Sequence, residues 1–141
     1  MILDDVIARI AAGQLGLKTV DGVEALAELA ATPVHALPAA YVVQAAEDFI
    51  PEQEGSGLLV VRSEFDFDVA VIVGAAAARG KAKGELAQLV GLVIQQLLGW
   101  TPDGIEYRPI RPISARLLGI EGGRVSWVVR FRTSYRLRKQ G

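Results

Sequence analysis

In residues 2–12, apolar side chains at positions 3, 6, 7 and 10 follow the i, i+3, i+4, i+7 spacing of an amphipathic helix. Asp4 and Asp5 fall in its first turn, where the positive end of the helix dipole favours carboxylates. A second helix is expected over residues 22–31, with Asp21 as N-cap and Glu24 at the capping-box position. It ends at Thr32-Pro33, because a residue before proline is pushed out of the helical region. Residues 40–45 (AYVVQA) predict a short strand. Residues 58–73 predict extended chain, either one long strand or a hairpin turning near residues 62–64. There Phe65, Phe67, Val69 and Val71 alternate with Glu64, Asp66, Asp68 and Ala70, giving one apolar and one acidic face.

Residues 47–57 (EDFIPEQEGSG) are polar, acidic and broken by Pro and Gly, which predicts a mobile loop. Its Glu47, Asp48, Glu52 and Glu54 are candidates for contact with a partner. Residues 74–84 form a small flexible connection, and residues 85–98 (ELAQLVGLVIQQLL) predict a helix. The polar positions of that helix make only a narrow stripe, so most of its circumference calls for burial. Gly99 is its expected C-cap. Beyond it, strands are expected over 105–108, 115–120 and 124–138, with a hairpin turn at Glu121-Gly122-Gly123. In the last strand Trp127, Val129, Phe131, Thr133, Tyr135 and Leu137 share one face, and Arg130, Arg132, Arg136 and Arg138 lie on the other. The pattern predicts one α+β domain over residues 1–141, with helices packed on a mixed, mainly antiparallel sheet.

Charge adds an asymmetry that the elements alone do not show. Residues 1–70 carry 12 acidic and 3 basic side chains, a net of −9, whereas residues 71–141 carry 4 and 12, a net of +8. The halves either neutralise one another within one fold or meet a partner of opposite sign. The Glu64/Asp66/Asp68 ladder is a weak metal candidate, since no further ligand accompanies it, and a solvated or salt-bridged face accounts for it better. The arginine face offers phosphate attraction, a plain solvated surface, or pairing with that ladder from another strand or subunit, and complementary acidic and basic faces also suit a head-to-tail ring.

Catalytic chemistry finds little support. His35 stands between two prolines without a second ligand or carboxylate nearby, and there is no Cys. The run GAAAARGKA at residues 74–82 lacks the glycine at 75 and the Ser or Thr at 82 that a phosphate-binding loop needs. Composition is ordinarily globular, with 51% apolar and 22% charged residues. The longest uncharged apolar run, residues 69–78, is about half a membrane span. No basic segment precedes an apolar run at the N-terminus, so an intracellular, soluble product without cofactor, metal or membrane contact is expected.

Four segments together carry a family resemblance: ALPAAYVV at residues 36–43, acidic Glu47-Asp48, GWTPDG at residues 99–104, and the basic-aromatic strand with Trp127, Phe131 and Tyr135. In these the chain resembles the small tail terminator proteins of long-tailed bacteriophages and prophages. The resemblance implies a non-enzymatic virion protein of mixed α/β fold, assembled in the host cytoplasm and closed into a hexameric ring at the head-proximal end of the tail. It implies capping of the tail tube, an end to tube polymerisation, and contact with the tube protein and the head–tail connector. A competing use of the arginine face is to line the ring's channel, where passing genomic DNA would be a transient partner. Another neck protein of similar size, or a DNA-binding protein using the C-terminal arginines, are the competing readings. The Pro/Arg-rich stretch at residues 108–123 matches no part of the family pattern.

Overall fold

The computed structural model describes residues 2–24, 28–31, 36–53, 57–74, 81–102, 107–121 and 123–140. The elements run α1 (Ile2–Ala12), β1 (Thr19–Gly22), α2 (Glu28–Ala31), β2 (Ala39–Gln53), β3 (Leu58–Gly74), α3 (Lys81–Leu97), β4 (Arg111–Glu121) and β5 (Arg124–Gln140). Five strands form one sheet in the order β1-β2-β3-β5-β4, parallel between β1 and β2 and antiparallel elsewhere. This is the α+β architecture that the periodicity predicts. No helix among the described residues is long and apolar enough to cross a membrane.

β3 is the axis of the sheet, paired along its length with β2 on one side and β5 on the other. Its odd-numbered residues from Phe65 to Val73 face α1 and α3 and enter one core with Val6, Ile10, Leu89, Val93, Leu97 and Phe131. Phe67 and Phe131 sit directly opposite in register and stack with ring centroids 5.4 Å apart. Trp127 packs against this core while remaining partly exposed. On the other face of the sheet a smaller cluster joins Tyr41, Ala70, Ile72 and Val128 under Leu29 of α2.

The two long helices are tied at their C-terminal ends. Arg9 Nε donates to the Gln96 carbonyl (3.1 Å), Gln96 Nε2 donates to the Arg9 carbonyl (2.8 Å), and the Arg9 guanidinium lies 5.5 Å from the Trp100 ring centre. A cation at the C-terminal carbonyls of α3 also suits the helix dipole. Gly99 takes φ +77°, the left-handed turn expected of a C-cap glycine, and its N–H donates to the Ile110 carbonyl (2.9 Å).

Several expectations are corrected. The region expected to be a helix over 22–31 begins as strand, because Thr19–Gly22 pair in parallel with Ala39–Val42, and among the described residues of this region Glu28–Ala31 are helical. Here sheet pairing outweighs the local cap signal of Asp21, whose side chain instead accepts from the Gly22 N–H (2.8 Å). The loop expected over 47–57 is strand as far as Gln53, since its backbone pairs with Val60–Phe65 across one register shift between Pro51 and Gln53. Pro51 is tolerated because β1 covers only the first residues of β2 and leaves its remaining outer edge unpaired. Residues 58–73 are one strand without a hairpin. α3 begins at Lys81, ahead of the expected Glu85, and buries a single stripe of Leu86, Leu89, Val93 and Leu97, leaving Leu92 and Leu98 exposed. Tyr107–Ile110 is not strand. Glu54 and His35 lie outside the described residues.

Phe131 has no exposed surface and stacks on Phe67 at the centre of the helix-side core. Phe131→Ala is expected to cost about 3–5 kcal/mol, a large share of the stability of a small domain. Urea unfolding followed by tryptophan fluorescence measures it, and a loss below about 1 kcal/mol would contradict this core assignment.

Candidate functional site

The acidic ladder and the arginine face belong to neighbouring strands of the same chain. Register places Asp68 opposite Arg130 and Asp66 opposite Arg132. Both pairs are bidentate: Arg130 donates to Asp68 at 2.9 and 3.2 Å, and Arg132 to Asp66 at 2.8 and 3.0 Å. The carboxylates are the buried partners, with Asp68 side-chain exposure of 2% against 35% for Arg130. These hydrogen bonds raise the arginine pKa values further above their ordinary range, more than partial burial lowers them. Asp66 and Asp68 are therefore paired within the chain, while the Glu64 side chain, 25% exposed, stays at the surface between Arg62 and Arg132.

Farther along the strands the pairing continues at the surface. Arg62 Nη2 donates to Glu64 (3.3 Å), and Arg136 binds Glu52 with both Nε (3.0 Å) and Nη2 (3.3 Å). The Arg136 hydrogen bond holds the Glu52 carboxyl below its usual range. Asp48 lies opposite Glu64 in the β2–β3 register, and Arg138 is exposed near the end of β5. Glu47 instead turns to the helix side, where it accepts hydrogen bonds from Ser63 and from Tyr135 (2.8 Å). Tyr107 packs edge-on against Tyr135 with ring centroids 5.1 Å apart. Of the candidate loop residues, Glu47 and Glu52 thus hold the distal end of the sheet together.

Two open clefts flank this system. One, of about 350 Å³, is lined by Arg62, Glu64, Arg108, Arg111, Arg132 and Ser134 among others. The other, of about 520 Å³, has an apolar floor of Leu3, Ile7, Val23 and Val42 and an acidic rim of Asp4, Glu24 and Glu28. The sequence reading missed Arg62, Arg108 and Arg111 as a group. The one available signal was the Pro/Arg-rich run that begins at residue 108. Among the described residues no three His, Asp or Glu side chains are grouped to hold a metal.

These features define a small α+β domain whose charged side chains chiefly tie its own strands together. A family model described as "Phage tail terminator protein" matches residues 2–141, and the chain belongs to that family. It is a structural protein of the phage tail, located in the virion. A solved structure described as "Virion of native gene transfer agent (GTA) particle" has a similar fold. It aligns with a TM-score of 0.55 at 18% identity, over 96% of this chain and 92% of that one. No curated protein sequence matches the chain.

The buried ion pairs make an asymmetric prediction. Arg130→Ala strands a buried carboxylate and should cost about 3–5 kcal/mol, whereas Asp68→Ala leaves a guanidinium that reaches water and should cost less. The double substitution should be milder than Arg130→Ala alone, and a denaturant double-mutant cycle reads all three. Equal losses for the two single variants would contradict the asymmetry.

The tyrosine cluster predicts alkaline sensitivity. Burial, and for Tyr135 the hydrogen bond to Glu47, push the Tyr107 and Tyr135 pKa values up in the folded chain. A raised folded pKa gives stability that is complete below the unfolded tyrosine value of about 10 and is lost as pH rises through the folded value. Tyr135→Phe should therefore lower stability at neutral pH and shrink the alkaline loss. A pH series of thermal melts checks this, and an unchanged alkaline slope would contradict it.

Proposed function

We propose that this protein closes the head-proximal end of the tail tube as a ring of identical subunits, hexameric by resemblance to its family. The ring stops tube polymerisation and offers its other surface to the head–tail connector. The observation that carries this reading is the family match across residues 2–141. The structurally similar chain comes from a virion particle, which supports assembly with other tail and head proteins. A non-catalytic role agrees with the use of the ladder carboxylates in ion pairs within the chain.

The paired distal arm is the element we assign to tube or connector contact. Beyond the Glu47–Tyr135 bond, the helix-side face of β2, β3 and β5 exposes Phe49, Leu59 and Leu137, with Phe49 58% exposed. Exposed apolar side chains grouped on a rigid scaffold suit protein contact. Glu47, Asp48 and Glu52 frame this arm, and Glu54 follows them in the sequence.

The test combines solution mass by light scattering with negative-stain imaging, followed by tube assembly in the presence of the tail tube protein. Rings of one diameter that halt tube growth are expected. A monomer that leaves tube length unchanged, or one that binds duplex DNA with steep salt dependence, would overturn the reading. Phe49→Asp should leave stability within about 0.5 kcal/mol because the side chain is exposed, yet should abolish the arrest of tube growth.

A further inference from the structure

We infer that the arginine cleft is a carboxylate socket that receives the acidic α1–β1 corner of a second copy of this chain. This deepens the ring reading and rests on it. Four arginines, Arg62, Arg108, Arg111 and Arg132, line the cleft against one lining carboxylate, Glu64. Arg132 commits Nε and one Nη to Asp66, and its other Nη lies 3.8 Å from Glu64, beyond hydrogen-bond reach. The Arg62 Nε is buried and has no hydrogen-bond partner among the described residues. Arg108 and Arg111 are exposed, with no ion pair found among the described residues. A cleft with this excess of guanidinium groups is completed by an anion, and planar guanidinium binds a carboxylate through two parallel hydrogen bonds.

The surroundings favour a protein carboxylate over a nucleic-acid backbone. Duplex DNA requires cations along a track that follows repeated phosphates. Between the cleft and the other exposed arginines, Arg116 on β4 and Arg138 on β5, the intervening Arg130 and Arg136 are already matched, by Asp68 and Glu52, so the surplus cations do not run on as a continuous track. The complementary surface exists on the same chain. The second cleft combines an apolar floor with Asp4 and Glu24 at its rim, and both side chains are exposed.

Geometry excludes pairing of the two clefts within one chain and calls for a neighbour. Strand order puts β1 at one edge of the sheet and β4 at the other. Arg111 opens β4, and Arg108 lies just before it, its N–H donating to the Ser134 carbonyl (2.7 Å). Arg108 and Arg111 of the socket, unpaired among the described residues, and the acidic corner therefore lie toward opposite edges, as a heterologous, head-to-tail contact requires. β4 also exposes Ile113 and Leu117, apolar side chains suited to the apolar floor of the opposing cleft. Exposed ion pairs contribute only about 0–1 kcal/mol each, so the charges select the mating edges while apolar burial holds them.

Charge reversal and its compensation test this by native mass spectrometry and light scattering across a concentration series, with circular dichroism confirming the fold. Arg108→Glu with Arg111→Glu should raise the concentration needed for assembly at least about tenfold, and so, separately, should Asp4→Lys with Glu24→Lys. Combining all four substitutions in one chain should restore assembly, which simple damage to the fold would not do. A wild-type multimer that survives either folded reversal, or a folded quadruple variant that stays monomeric, overturns the socket and leaves the ring reading standing. A wild-type protein monomeric at all concentrations overturns both. Loss of duplex DNA binding in the arginine variant, with its mass unchanged, would identify phosphate as the ligand and overturn the socket.

Discussion

The fold depends on two carboxylates placed in the middle of its central strand. Asp66 and Asp68 are buried, and an unpaired carboxylate there would unfold a marginal domain. Each is satisfied by the arginine directly across on β5. Because side-chain direction alternates, a one-residue slip would turn the core phenylalanines to the wrong face. A two-residue slip would preserve the faces but set either Asp68 against Val128 or Asp66 against Ser134. The ion pairs thus exclude the alternatives that hydrophobic patterning alone leaves open. Apolar burial supplies the affinity between β3 and β5, and the charges fix their register.

That division of labour explains what the sequence could reveal. The alternation of Phe65, Phe67, Val69 and Val71 with acidic residues, and of Phe131 and Val129 with arginines, marks two amphipathic strands because period 2 is a local property. Which strand lies beside which is not local, so the same residues did not say whether the acidic and basic faces met within the chain or between chains. The helical reading of residues 22–31 started too early for a related reason: Thr19–Gly22 become strand because Ala39–Val42 arrive alongside, while Glu28–Ala31 are helical. Residues 47–53 looked like a loop because their polar side chains find partners, Ser63, Tyr135 and Arg136, on other strands. The arginine cleft was illegible for the same cause, since it gathers Arg62 from β3, Arg132 from β5 and Arg108 and Arg111 from the chain entering β4.

Pairing within the chain also changes the meaning of its charge asymmetry. The acidic first half and basic second half meet mostly at the β3–β5 seam, where they neutralise each other. Of the surplus that remains, acidic groups sit at the α1–β1 corner, and basic groups sit where β4 begins and farther along β4 and β5. A tail protein built this way has a rigid, internally satisfied sheet and two unlike edges. Such edges suit ordered contact with identical neighbours, while the distal arm, with its exposed Phe49 and Leu137, is free to meet a different protein. Stability and assembly then draw on largely different residues, with Arg132 shared between the seam and the cleft.

Hydrogen exchange on the assembled and the dissociated protein tests that separation most directly. The amides around Asp66, Asp68, Arg130 and Arg132 should be equally protected in both states, because their pairing is complete within one chain. Protection gained on assembly should appear at the two edges, near residues 19–24 and 108–118. Protection around Asp66 and Arg132 that arises only on assembly, with the edges unchanged, would contradict the account.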